Sequence, residues 1–166
     1  MADRWRSVAA WLLLRRLLAE RGLSADSLPI TVNVYGKPDF KTEVGVHFSL
    51  SHAEDRVMAA ISSASVGCDV ERWGAGSGRW EVEGRGGLTA DEKAHLAACH
   101  ETDRDRAFIR LWVRKESYVK AVGEGMGIDP SSFSALSAPP ASGWRWRDFD
   151  FGDNYFGSIC FSDSGF

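Results

Sequence analysis

One segment of the chain, residues 108–126, constrains the fold more than any other because its apolar and charged residues follow separate helical stripes. Apolar side chains recur at steps of three and four, the spacing of one buried helix face; they are Phe108, Leu111, Tyr118 and Val122. Trp112, Glu116 and Lys120 follow at steps of four, so a ring, a carboxylate and an ammonium share a second face. Gly123 supplies a stop signal. The pattern predicts a long helix that displays Glu116 and Lys120.

The Glu116–Lys120 pair has two interpretations. A Glu and a Lys four residues apart are commonly a solvated pair that stabilises a helix by about 0.3–0.5 kcal/mol. The same two groups would instead belong to a functional site if further carboxylates from another part of the chain joined them. The sequence of the helix alone favours the solvated pair.

A second group of carboxylates lies in residues 66–71, Val-Gly-Cys-Asp-Val-Glu. In a strand, Asp69 and Glu71 point to the same face, roughly 6.5 to 7 Å apart, and repel each other unless they are solvated or neutralised. Oxygen ligands that leave room for water and phosphate suit Mg²⁺ better than zinc. The alternative is an exposed strand edge with two solvated acids, and for an isolated Asp-x-Glu that alternative is the commoner.

Residues 44–62 predict a β-hairpin, because apolar and polar residues alternate before a turn at 53–55 and a second run follows. Ser51 and His52 end the first strand, where they can either donate to phosphate oxygens or cap the turn. Lys37 lies between Gly36 and Pro38 on an exposed bend, a position where lysine is commonly a solubilising residue.

The remaining segments predict a mixture of helices and strands. Residues 4–21 form an amphipathic pattern, and Thr89 caps a helix that runs to His100. Residues 74–87 are rich in glycine and predict a flexible loop. Residues 144–147 and 155–161 predict closing strands. The fold class indicated is α+β.

Composition narrows the functional classes. The chain has 166 residues and a formal net charge of −3, which disfavours a nucleic acid partner. Its three cysteines are widely spaced without a Cys-x-x-Cys, so neither a disulfide framework nor a zinc ribbon is indicated. The apolar run at residues 11–18 is short and is interrupted by Arg15 and Arg16, so no membrane span is expected. We expect a cytoplasmic protein.

Five short motifs follow one another in an order typical of one enzyme family. They are Gly-Lys-Pro at 36–38, Phe-Ser-Leu-Ser-His at 48–52, Val-Gly-Cys-Asp-Val-Glu at 66–71, Leu-Thr-Ala-Asp-Glu at 88–92 and Trp-Val-Arg-Lys-Glu-Ser-Tyr-Val-Lys at 112–120. In this order they resemble the 4′-phosphopantetheinyl transferases, specifically the Sfp-like branch. The resemblance implies an α+β fold of two similar lobes, a pseudo-dimer with coenzyme A between them. Residues 1–64 would be an N-terminal lobe, truncated at its N-terminus, and residues 65–166 a C-terminal lobe that carries the metal site.

The resemblance also implies an activity. Enzymes of this family move the 4′-phosphopantetheine arm of coenzyme A onto a serine of an acyl or peptidyl carrier protein, in polyketide or nonribosomal peptide biosynthesis for example, and release adenosine 3′,5′-bisphosphate. Magnesium and lysine neutralise the diphosphate leaving group as its charge develops.

Roles carried over from the family fall on named residues of this chain. Asp69, Glu71 and Glu116 would be the Mg²⁺ ligands, with Glu116 also the candidate acceptor of the serine proton. Lys120 would meet the diphosphate. The remaining coenzyme A phosphate contacts would be Lys37, Ser51, His52 and Lys115, with Arg6 at the 3′-phosphate.

Three alternatives remain open at this stage. The chain could be a module of the same fold that binds coenzyme A or a carrier protein without catalysis. It could be a different Mg²⁺-dependent enzyme that acts on a nucleotide such as ATP. It could also be related to the shorter, trimeric holo-acyl-carrier-protein synthases, although two lobes in one chain favour a pseudo-dimer.

Overall fold

The computed structural model describes residues 2–41, 44–74 and 84–163. The helices are α1 (Ala2–Glu20), α2 (Gly84–Gly87), α3 (Ala90–Ala98) and α4 (Glu101–Val122). The strands are β1 (Ile30–Val32), β2 (Pro38–Phe40), β3 (His47–Ala53), β4 (Arg56–Ser62), β5 (Val66–Arg72), β6 (Trp144–Asp150) and β7 (Tyr155–Ser162). This mixture confirms the expected α+β class. Among the helices of the described residues, none has the length and apolar character needed to cross a membrane.

In the N-terminal part, α1 packs across an antiparallel hairpin of β3 and β4. Leu14 and Leu18 of α1 lie in one apolar cluster with Phe40 and Phe48. Residue Glu54, at a φ of 47°, makes the tight turn between β3 and β4. The predicted helix over 4–21 and the predicted hairpin over 44–62 are therefore confirmed.

In the C-terminal part, the described strands form an antiparallel sheet in the order β5-β7-β6, and α4 packs against β5 and β7. The approach of α4 to β5 requires a glycine at Gly67, because a Cβ there would lie 2.0 Å from the backbone oxygen of Ser117. Of the stripe predicted on α4, Phe108, Leu111 and Tyr118 are at most 9% exposed and Val122 is half-buried. The strands predicted at 144–147 and 155–161 are present and slightly longer than expected.

The helix boundaries differ from the prediction at the junction of α3 and α4. Helix α3 ends at Ala98 rather than at His100, and α4 begins at Glu101 rather than near Phe108. Residues 101–106 are mostly charged and carry no apolar stripe, so periodicity could not detect this first turn and a half. The ring of His100 accepts the backbone N–H of Thr102 and caps the helix at its actual start. The cap predicted at Thr89 is confirmed as a capping box with Glu92.

The loop predicted over residues 74–87 is described only at its ends. Residues 75–83 lie outside the described residues. Residues 84–87 form the short helix α2, so that end of the segment is helical rather than an extended loop.

Two serine hydroxyls join the N-terminal hairpin to the C-terminal sheet. Ser49 Oγ accepts the backbone N–H of Cys68 at 3.0 Å, and Ser51 Oγ accepts that of Val70 at 3.4 Å. These bonds lay β3 alongside β5 although the two strands share no backbone ladder among the described residues. They also bring Ser51 next to Asp69, which is the first contact of the site.

Candidate active site

The face of α4 that carries Glu116 and Lys120 separates two cavities, and both residues line both of them. The first, which we call the apolar pocket, has a volume of about 640 Å³ and is bounded by β2, β3, the end of α4 and residues 128–130. The second, which we call the carboxylate pocket, has a volume of about 510 Å³. Its lining includes the three predicted metal ligands Asp69, Glu71 and Glu116, with Ser51, His52 and Trp112.

Lys120 is not a solvated partner on the helix surface. Its ammonium donates to Asp69 Oδ1 of β5 at 2.6 Å and to Ser51 Oγ of β3 at 3.1 Å. The Ser51 hydroxyl donates to the same Asp69 oxygen at 2.8 Å. A helix and two strands therefore meet at one charged group, and the interpretation of Lys120 as an exposed i, i+4 partner is wrong.

The pKa values of the two charged residues on this face both shift upward. Burial lowers the pKa of Lys120, but the nearby charge of Asp69 and the hydrogen bond to it outweigh burial, so the pKa is raised overall. Burial also raises the pKa of Glu116, and the negative charge of Asp69 adds to this while Lys120 opposes it. A carboxylate held in this way binds a proton more readily than a solvated one, which suits a proton acceptor in catalysis.

The state of the Asp69 carboxylate indicates whether the carboxylate pocket can hold a divalent cation. Asp69 is 4% exposed and its Oδ2 is buried without a hydrogen-bond partner, so the interpretation of Asp69 as a solvated acid at a strand edge is wrong. A buried carboxylate oxygen in that state is costly unless a cation or water meets it. Across residues 2–41, 44–74 and 84–163, no three acidic, histidine or cysteine side chains are already gathered as a metal cluster. The oxygen donors and the shared cavity fit Mg²⁺, with Lys120 at present holding the other oxygen of Asp69.

The other predicted phosphate contacts differ in their exposure and in their hydrogen-bond partners. His52 is exposed and lines the carboxylate pocket. Arg6 of α1 donates to the backbone oxygen of Glu54, in the turn that follows His52, at 3.0 Å. Ser51 is buried within the Lys120 and Asp69 contacts described above.

Lys37 lines the apolar pocket and also ties the two parts of the chain together. Its ammonium donates to the backbone oxygens of Val66 and Ala121, each at 3.3 Å. Ala121 lies in the last turn of α4, where a cation is favoured by the helix dipole and by the unpaired carbonyl oxygens. Burial lowers the pKa of Lys37. The structure therefore gives Lys37 a capping contact that the sequence did not indicate.

Lys115 lies outside both cavities. It is 0% exposed, its ammonium is 2.9 Å from Glu92 Oε2, and it donates to the backbone oxygens of Pro130 and Phe133. A side chain buried in this way does not reach a phosphate in either pocket. The predicted contact between Lys115 and coenzyme A gains no support from this arrangement, because the charge of Lys115 is already neutralised within the core.

Sequence reasoning did not identify the aromatic lining of the site. Trp112 of α4 and Trp11 of α1 both line the carboxylate pocket. The signal for Trp112 was present, since it shares the helical stripe of Glu116 and Lys120. No local pattern pointed to Trp11 or to the apolar pocket, whose walls come from segments far apart in the chain.

A family model described as the 4′-phosphopantetheinyl transferase superfamily matches residues 65–163. The chain belongs to this superfamily. The matched residues contain β5 and α4, and so the part of the carboxylate pocket that holds Asp69, Glu71, Glu116 and Lys120.

Individual transferases extend the similarity to most of the chain. It is 32% identical over 135 residues to 4′-phosphopantetheinyl transferase gsp of Aneurinibacillus migulanus, covering 79% of this chain and 54% of that protein. It is 28% identical over 133 residues to Sfp of Bacillus subtilis (strain 168), covering 80% and 58%. The identity to AcpT of Escherichia coli (strain K12) is 32% over 131 residues, covering 74% and 67%. The chain thus spans a little more than half the length of gsp and Sfp.

Proposed function

We propose that the chain transfers the 4′-phosphopantetheine arm of coenzyme A to a serine of an acyl or peptidyl carrier protein. The observation that carries this proposal is the meeting of Lys120, Asp69 and Ser51 at the boundary of the two cavities. The family of the chain and the transferases it is similar to support the same activity.

The two cavities suit the two chemical halves of coenzyme A. The apolar pocket, with Phe48, Leu50 and Val119 in its walls, would take an uncharged organic part of the molecule rather than its diphosphate. The diphosphate would lie at the carboxylate pocket, where the ammonium of Lys120 is available to it. Lys37, His52 and Arg6 would then contribute positive charge or hydrogen bonds to the phosphates around this centre.

The carboxylates Asp69, Glu71 and Glu116 would hold Mg²⁺. The orphaned oxygen of Asp69 and the shared cavity support this ligand set. When bound, Mg²⁺ would neutralise negative charge that develops on the diphosphate during transfer. This assignment makes activity depend on a divalent cation.

In the transfer step, the serine oxygen of the carrier forms a bond to the β-phosphorus of coenzyme A. The bond from that phosphorus to the bridging oxygen breaks, and adenosine 3′,5′-bisphosphate leaves with the electron pair. Glu116 would accept the serine proton, directly or through a water, which its raised pKa favours. Lys120 would neutralise the leaving oxygen.

We also propose that residues 1–64 and 65–166 are two lobes of similar construction. Helix α1 packs on the β3–β4 hairpin as α4 packs on the β5–β7 pair, which supports a pseudo-twofold relation between the lobes. The carboxylate pocket takes residues from both sides of that boundary, including Ser7 and Glu116.

Mass spectrometry tests the proposed activity directly. The protein is incubated with coenzyme A, Mg²⁺ and a panel of apo-carriers from fatty acid, polyketide and nonribosomal peptide systems. The expected result is a gain of one phosphopantetheine on at least one carrier, abolished when the cation is chelated. No gain on any carrier would contradict it.

A second candidate is a binding module that holds coenzyme A without transfer. The observation in its favour is that Lys120 already neutralises one oxygen of Asp69, as a cation would. Calorimetry distinguishes the two: coenzyme A binding that is indifferent to Mg²⁺, together with no mass gain on the carriers, would favour the module.

A further inference from the structure

A buried ion pair between Glu92 of α3 and Lys115 of α4 has no place in the transfer chemistry. Both side chains are 0% exposed, and the ammonium lies 2.9 Å from Glu92 Oε2. The ammonium also lies 4.6 Å from the centre of the Phe133 ring. Neither residue lines the carboxylate pocket or the apolar pocket.

The pair is nevertheless bonded to the backbone that forms one wall of the apolar pocket. Lys115 donates to the backbone oxygen of Pro130 at 2.7 Å and to that of Phe133. Glu92 Oε1 accepts the backbone N–H of Ala135 at 2.6 Å. Residues 130–135 are thus held at three points by one pair of opposite charges, and Pro130 itself lines the pocket.

Glu92 extends the same network to the start of α3. Its Oε2 accepts the backbone N–H of Thr89 at 2.8 Å, which is half of the capping box. Residues 130–135, which we call the wall segment, are bonded to the first turn of α3 a second time, because Ser134 Oγ donates to Asp91 at 2.6 Å. The turn before α3, the middle of α4 and the wall segment therefore meet at Glu92 and Lys115.

Two buried charges are an expensive way to fill a core, since apolar side chains of similar volume commonly do so at lower cost. An apolar side chain at 115, however, would leave the oxygens of Pro130 and Phe133 without this donor, and buried backbone groups need partners. The ammonium satisfies both oxygens and Glu92 together, so the charge fixes the path of an irregular segment that has little regular secondary structure.

We propose that Glu92 and Lys115 are positioning residues that set the shape of the apolar pocket, and through it the affinity for coenzyme A, without touching the ligand. This inference rests on the proposed function for the identity of the ligand. Residues 128–130 of the apolar pocket keep their position because residues 130–135 are bonded to this pair.

The test removes both charges together, so that neither is left alone in the core. In the Glu92→Gln/Lys115→Met double variant, coenzyme A binding measured by calorimetry should weaken about ten- to a hundredfold, as for a ligand site displaced by remote packing changes. Hydrogen exchange should accelerate at the amides of residues 131–135. The loss should fall on Kd and KM for coenzyme A more than on kcat.

The matched control is Arg106→Met/Asp150→Asn. This pair also joins α4 to another element, at 3.3 Å, and lines neither cavity of the site. Its coenzyme A affinity and the exchange at 131–135 should match the unmodified protein. A similar loss of affinity in this control would contradict a specific role for Glu92 and Lys115.

If the double variant does not fold, Lys115→Arg decides the question. A guanidinium keeps the charge but places its donors in a plane, so it cannot reproduce the contacts of an ammonium. The expected result is a folded protein with faster exchange at 131–135 and weaker coenzyme A binding. Unchanged binding and exchange in a folded variant overturn the inference, whereas no binding by the unmodified protein overturns the proposed function instead.

Discussion

Lys115 and Lys120 lie five residues apart on one helix, and each forms an ion pair with an acid from another element. Lys115 and Glu92 are 0% exposed, whereas the Lys120 side chain is 32% exposed and that of Asp69 is 5% exposed. Both oxygens of Glu92 accept backbone hydrogen bonds. Asp69 leaves Oδ2 buried without a hydrogen-bond partner. One pair is complete within the protein, and the other leaves a buried oxygen available for a ligand.

The pKa values of the two lysines shift in opposite directions, in keeping with this difference. Burial lowers the pKa of Lys115, and the hydrogen bond and charge of Glu92 offset this only in part. Burial also lowers the pKa of Lys120, but Asp69 outweighs it and the pKa is raised. A completed pair is a means of fixing backbone, whereas an accessible pair with an orphaned oxygen is where a substrate or cation can be expected.

The largest expected effect is on stability. Lys115→Met should lower the free energy of unfolding by about 3–5 kcal/mol, because it leaves the carboxylate of Glu92 buried without its cation. Urea denaturation followed by circular dichroism measures this. Adding Glu92→Gln should recover part of the loss. Lys120→Met, at a more exposed position, should cost less than half as much, and equal losses at the two lysines would remove the distinction drawn between them.

The next effect is on transfer. Asp69→Asn should reduce kcat/KM for carrier modification by about a hundred- to a thousandfold, because the oxygen donor proposed for the cation loses its charge. The amide oxygen can still accept from Ser51 and Lys120, so the melting temperature should change little. Asp148→Asn, which alters a carboxylate of β6 that is bound by Arg114 and lines neither pocket of the site, is the matched control. Near-normal activity of Asp69→Asn across a Mg²⁺ titration would show the ligand assignment to be wrong.

Lys120 should matter more for rate than for stability. Lys120→Ala should cost about 2–3 kcal/mol in transition-state stabilisation, roughly a thirty- to hundredfold fall in kcat/KM. Lys120→Arg should restore only part of it, since a planar guanidinium directs its donors differently. Steady-state kinetics with coenzyme A and an apo-carrier measure both. A Lys120→Ala protein with a lower melting temperature and an unchanged rate would make Lys120 structural, like Lys115.

The smallest effect is a dependence of stability on pH that originates at Glu116. The pKa of Glu116 is raised above its ordinary value of 4.5, so the folded protein binds this proton more tightly than the unfolded chain does. The resulting stabilisation is fully present below the unfolded pKa and is lost as pH rises through the folded pKa. Glu116→Gln should therefore gain stability relative to the unmodified protein between pH 4.5 and neutrality. Urea titrations at several pH values check this, and parallel stability curves for the two proteins would contradict it.

Much of the fold was predictable from sequence, because local geometry dictates the patterns used. Side-chain directions repeat every 3.6 residues in a helix and every two in a strand, so apolar spacing identified α1, most of α4 and the hairpin of β3 and β4. The same spacing placed Asp69 and Glu71 on one face of β5. The first turns of α4 were missed because residues 101–106 are mostly charged and carry no apolar stripe.

The order of five short motifs determined the family, since each motif carries residue types that one chemistry requires at set spacings. Sequence alone also selected the acids and lysines that carry charge near the site. It gave Lys120 the diphosphate and made Lys115 a further phosphate contact, however, because both lie in the same motif.

The tertiary structure alone decided what each charge meets. Lys120 bonds to Asp69 at a separation of 51 residues, and Lys37 caps α4 through Ala121 at a separation of 84. Such pairings follow from how helices and strands pack against one another, and local spacing does not report them. Burial then gave each lysine its role, because an ammonium sealed with its acceptors in a low-dielectric core can only hold backbone in place, while one at a cavity wall can exchange a protein partner for a ligand.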